Sequence, residues 1–138
     1  MGIIFGLRPK ESAWEVVKRR SVEPVLMYHG DEDLNIMKIQ DRNIHRSFVF
    51  EVSSNSAKLR SVTRNAIIFA RQQLLSEFSQ KGYNTLMLEG WMLAIYKKEK
   101  LHRIEIQYTG RPAYVRGKFD DTRRPPFMEE VLADCLQT

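Results

Sequence analysis

The stretch Ala57-Lys-Leu-Arg-Ser-Val-Thr-Arg-Asn-Ala-Ile-Ile-Phe-Ala-Arg-Gln-Gln-Leu-Leu-Ser-Glu-Phe-Ser-Gln-Lys81 decides how the rest of this chain is read. It holds no Gly or Pro, and Gly82 follows it where a helix C-terminus favours a left-handed residue. Leu59, Ala66, Ala70 and Leu74 recur at helical spacing, and Val62, Ile67 and Phe78 widen the stripe. Ile68 and Leu75 fall on the side away from it, so apolar residues cover more than half the circumference. The spacing predicts a long helix over 57–81, enclosed on two sides by a curved sheet or by a second subunit. Ser53-Ser-Asn-Ser56 supplies its N-cap candidates.

Working toward the N-terminus, Ser47 to Val52 alternates, with Phe48, Phe50 and Val52 on one face. Leu34 to Ile39 and Val25 to Tyr28 read as two further strands, making a three-strand antiparallel meander. Residues 11–20 read as a short helix. Glu11 and Glu15 lie near its start and Lys18, Arg19 and Arg20 near its end, the order a helix dipole favours, and Trp14 and Val17 share a face. Toward the C-terminus, Asn84–Glu89, Trp91–Tyr96 and Leu101–Tyr108 form a second antiparallel meander, with Ala113–Val115 as an edge strand. Phe127 to Leu136 is a final helix using Val131, Leu132 and Leu136. The expectation is one α+β domain over 1–138, with mostly sequence-neighbouring antiparallel pairs.

At 138 residues, 43% hydrophobic and 28% charged, the chain has the composition of an ordinary folded domain. The single cysteine, Cys135, allows no intrachain disulfide, which points to a reducing, intracellular setting, cytoplasmic or nuclear. No apolar run is long enough for a membrane-spanning helix, and the apolar start Met1–Leu7 is too short for a signal-peptide core. Gly2 lacks the Ser or Thr at position 6 of a myristoylation signal; Gly6 stands there.

The formal net charge of +5 makes the arginines the first functional candidates. Arg60, Arg64 and Arg71 fall within about 40° of one another on the predicted helix. Arg111, Arg116, Lys118, Arg123 and Arg124 cluster in the loops after the second meander, with Tyr114 and Phe119 interleaved. These eight residues are the candidate partner-binding set. Arg beside apolar residues is enriched at protein interfaces, and Arg with aromatics also grips single-stranded nucleic acid. The leading expectation is a non-enzymatic protein-interaction or assembly module, self-association included. A nucleic-acid-binding module using the same arginines is the alternative.

An enzymatic reading comes from the order of elements over residues 66–108. A helix, Lys81-Gly-Tyr-Asn84, two strands, a charged turn and Ile104-Glu-Ile-Gln-Tyr108 distantly resembles the core of the restriction-endonuclease-like fold. That resemblance implies a Mg²⁺ site held by carboxylates, here Glu89 and Glu105. Gln107 stands where the family's lysine is expected, and the strand 91–96 has no Asp.

Cys135 with His29, His45 or His102 lacks any local nucleophile signature, and a buried thiol is the simpler reading. His29-Gly-Asp-Glu-Asp33 lacks the ligand order of a calcium loop and reads as a solvated turn. No catalytic residue, metal or cofactor is assigned. A ligand pocket lined by Trp91, Tyr96, Phe48 and Phe50 is no better supported than a packed core.

Overall fold

The computed structural model describes residues 13–28, 34–53, 58–117 and 123–136. In chain order they form β1 (Glu15–Leu26), β2 (Ile36–Ile39), β3 (Ile44–Ser53), α1 (Leu59–Ser79), β4 (Thr85–Lys98), β5 (Leu101–Val115) and α2 (Met128–Cys135). All strands join one antiparallel sheet. β4 and β5 are its centre, β1 flanks β4, and β2 and β3 lie end to end along the far side of β5. The protein is therefore α+β, as the sequence predicts, but the strand arrangement differs from two meanders.

The long helix forms as expected. It runs from Leu59 to Ser79, and Gly82 turns the chain out of it at φ +94°. Its first residue follows Lys58, which makes no side-chain cap. Of the proposed caps, Ser53 ends β3, and 54–56 lie outside the described residues. Thr63, Ala66, Ile67, Ala70, Leu74 and Phe78 are buried against β5, β3 and β4.

The N-terminal helix over 11–20 is not formed: residues 15–20 belong to β1, and 11–12 lie outside the described residues. The charge order that suits a helix dipole is worth only a few tenths of a kcal/mol to ~1 kcal/mol. Pairing runs from Glu15 against Lys97 to Leu26 against Leu88, through two bulges, and suits the β-branched Val16, Val17, Val22 and Val25. Val25 and Leu26 are the end of that strand, not a separate one. The second meander is a single long hairpin, because Gly90 and Gly110–Pro112 lie inside strands rather than between them. Gly90 is required by its neighbour: a Cβ there would stand 2.6 Å from Pro24 N and Val22 O, where β1 bulges over β4. Ala113–Val115 is the tail of β5, paired with β2, and Ala113 also with Thr85 of β4; it is not a separate edge strand.

Both helices cover one face of the sheet. Trp91, Leu93, Ile95, Ile104, Ile106 and Tyr108 point into the core with Met128, Leu132 and Leu136 from α2. Burying each large apolar side chain contributes roughly 1.5–3 kcal/mol. The indole of Trp91 donates to Pro126 O at 2.9 Å, which fixes the chain just before α2. The other face of the sheet carries no element among the described residues. It is a shallow trough of about 680 Å³ crossing all the central strands, with Met92, Ala94, Val49, Glu105 and Gln107 among its lining.

Candidate interaction surface

The structure separates those of the eight candidate partner-binding residues that it describes. Arg71 is 1% exposed and lies in the core. Its Nε and Nη2 donate to Oε1 and Oε2 of Glu89 at 2.7 and 3.0 Å, and the Tyr108 hydroxyl donates to Oε1 at 2.5 Å. No partner can touch it; the helical spacing that set it beside Arg60 and Arg64 carried no sign of Glu89, 18 positions away. Arg64 instead reaches α2, with Nε 2.6 Å from Glu129 Oε2, and Arg124 approaches the same oxygen at 4.0 Å. The Arg64 hydrogen bond holds the Glu129 carboxyl below the usual carboxylate range, and the charges of Arg124 and Arg60 add to it.

Arg111 lies on the open face of the sheet and donates from Nε to Asn43 Oδ1 at 2.9 Å. The Arg123 guanidinium stacks 4.1 Å over the Tyr28 ring. Arg116 is exposed at the end of β5, and Lys118 lies outside the described residues. These cations are spread over the helix side, the open face and one end of the sheet. They do not make one basic surface.

The carboxylates of the nuclease reading are also apart. Glu89 points under α1 into the core. Glu105 pairs with Ala94 and lines the trough on the opposite face, so one metal ion cannot touch both. Among the described residues no group of three or more His, Cys, Asp or Glu side chains is placed to hold a metal. Cys135 is buried, and burial pushes its thiol pKa up, the reverse of an activated nucleophile. His29 and the turn 29–33 lie outside the described residues. Among the described residues, no helix is long and apolar enough to cross a membrane.

What the sequence reading missed is the difference between the edges of the sheet. β1 carries Lys18, Arg19, Arg20 and Pro24, and bulges twice, between Val16 and Lys18 and between Val22 and Val25. β3 pairs with β5 through ten consecutive residues with no shift of register, and among the described residues no strand lies on its other side. It contains no Pro. Val49 at its centre is 57% exposed.

The flank of α1 beside β3 continues this surface. Every exposed position of the helix is uncharged: Ser61, Asn65, Phe69, Gln72, Gln73, Ser76 and Ser79. The charged residues of α1 are buried or half-buried; Arg64 and Arg71 are paired with Glu129 and Glu89, and Glu77 accepts from Arg46 at 2.7 Å. Phe69 is 45% exposed and packs edge-on against both Phe48 and Phe50, with ring centroids 6.0 and 5.8 Å apart. A groove of about 360 Å³ runs between Arg46–Phe48 and Gln73–Gln80, with the Arg46–Glu77 ion pair in its lining. The signal was present in the sequence as a Ser/Asn/Phe/Gln stripe at helical spacing.

No family model, curated protein or solved structure matches the chain.

Proposed function

We propose that this chain is a non-enzymatic protein-interaction module that docks its partner along the β3 edge and the uncharged flank of α1. The observation that carries the reading is the regular β3 edge, free of Pro and bulges and uncovered among the described residues, with Phe69 above its midpoint. A regular edge strand offers a row of backbone donors and acceptors to another chain, which folded proteins ordinarily blunt with charge, Pro or bulges. β1 is blunted in all three ways; β3 carries charge in Arg46 and Glu51, each held in an ion pair, but has neither Pro nor bulge. Depletion of charge around an exposed aromatic is the composition of an interface centre. In this reading the arginines around Glu129 hold α2 against α1 and leave the opposite flank clear.

The test is affinity capture from the native source with the intact chain as bait and Phe69→Glu as the matched control. Proteins retained by the wild type and lost with the variant support the reading. An identical set of proteins on both baits contradicts it.

A nucleic-acid reading has one observation of its own. The open face of the sheet presents Tyr96 with Arg19, and Arg103 lies 4.3 Å over the Trp14 ring. Against it, Arg103 is paired with Glu51 at 3.0 Å, and Glu105 stands in the trough where phosphates would pass. Oligonucleotide binding that weakens steeply with added salt and is lost with Tyr96→Ala would move the assignment to that face.

A further inference from the structure

We propose that the occupant of the β3 edge is a second copy of this chain, joined by a two-fold axis that pairs β3 with β3 in antiparallel register. This rests on the interaction reading above and names its partner.

The argument is self-complementarity. In an antiparallel pair, directly opposite residues share a face, so a two-fold axis must pass through a residue of β3. The middle of Ile44–Ser53 falls at Phe48 and Val49. An axis at Phe48 opposes Phe48 to itself, Ser47 to Val49, Arg46 to Phe50, His45 to Glu51 and Ile44 to Val52. Apolar residues meet apolar ones, the Arg meets a ring, the His meets a carboxylate, and no like charges face each other.

The helix flank obeys the same symmetry. Phe69 touches both Phe48 and Phe50, so it stands level with Val49, about one residue along the strand from that axis. It also lies near the middle of the uncharged stripe, with Ser61 and Asn65 before it and Gln72, Ser76 and Ser79 after. An axis through the centre of the strand therefore brings the two helix flanks together, Phe69 against Phe69. A partner unrelated to this chain has no reason to require the centres of the strand, the stripe and the exposed ring to fall within about one residue of each other.

The size is sufficient. A ten-residue strand is about 33 Å long and packs about 10 Å from the layer above it, and a helix of this length spans about 31 Å. Strand edge and helix flank together offer on the order of 600 Å² per copy, or roughly 1,200 Å² in a pair, the lower bound for a stable specific interface.

The test combines mass and register. Sedimentation equilibrium of the intact chain should give a dimer that dissociates on dilution. Phe69→Glu should raise the dissociation constant at least roughly thirtyfold, the loss expected of a central interface residue. Val49→Lys, at an exposed position, should weaken the dimer as well and serves if Phe69→Glu fails to fold. The double variant His45→Cys with Glu51→Cys should form an interchain disulfide under mild oxidation, since opposite residues in such a pair lie about 4.5–5.5 Å apart. Within one copy these positions are about 20 Å apart along the strand and cannot join. The native Cys135 is buried and does not compete.

A wild type that is monomeric at every concentration overturns the proposal. So does a dimer indifferent to both Phe69→Glu and Val49→Lys, or a dimer in which the cysteine pair stays reduced. If the wild type is monomeric but captures proteins that Phe69→Glu loses, only self-pairing falls. If capture is also unchanged by Phe69→Glu, the interaction reading falls with it.

Discussion

β1 and β3 occupy opposite edges of the same hairpin and meet the problem of an unpaired strand differently. β1 has three consecutive cations, a proline and two bulges, and it fits over Gly90 so closely that no Cβ is tolerated there. β3 has an unbroken ladder, an exposed Val49 and the half-exposed ring of Phe69 leaning on it. An edge that is bulged and broken by proline on one side and, among the described residues, regular and uncovered on the other is not a general property of the fold. In the proposed reading, that contrast localises association to the β3 side.

Four expected outcomes break or sharpen that contrast. The largest removes what both edges share. Arg71→Met leaves Glu89 buried without its guanidinium and should cost about 3–5 kcal/mol. Denaturant unfolding should show a loss of that size, with β1 and β3 destabilised alike. Replacing Arg71 and Glu89 together by apolar residues of similar volume should recover most of it.

Next, Gly90→Val should act on the guarded edge alone. Its side chain collides with the Pro24 and Val22 backbone, at a cost of about 1–3 kcal/mol. Amide exchange should quicken through β1 while the β3–β5 ladder keeps its protection.

Phe69→Glu is the mirror experiment on the bare edge. It forfeits two edge-to-face contacts, so the monomer should lose only about 1 kcal/mol by thermal melting, while association through β3 weakens at least roughly thirtyfold.

The smallest effect is one of pH. His102 sits opposite Val52 of β3, buried, and burial together with the charge of Lys97 lowers its pKa from the usual 6.5. The folded state thus resists a proton that the unfolded chain accepts. Stability should be constant above about pH 6.5 and fall as the pH drops from there to the lowered folded value, by under ~1.4 kcal/mol for each unit between them. His102→Gln should flatten that part of the profile.

The helix α1 was legible because its signal is local: an unbroken apolar period closed by Gly82. β3 was legible for the same reason. β1 was not, because its charge order imitates a helix, whereas its pairing partner lies some 70 residues away in β4. The β-branched Val16, Val17, Val22 and Val25 were the available hint. Gly90 and Pro112 divided β4 and β5 on paper, since a glycine demanded by a neighbouring strand looks the same as one demanded by a turn. The charge of the arginines alone does not reveal which of them are already paired within the fold. Arg71 needed Glu89, and Arg64 needed Glu129, both fixed only by tertiary packing. The bare edge of β3 depends on strand order, which no local pattern encodes.

The most direct measurement is residue-resolved amide exchange at low and high protein concentration, comparing the two edges in the same sample. The account predicts that amides of β3 gain protection as concentration rises, while those of β1 keep their rates. Protection gained in β1, or no change in β3 at concentrations where the chain associates, would contradict it.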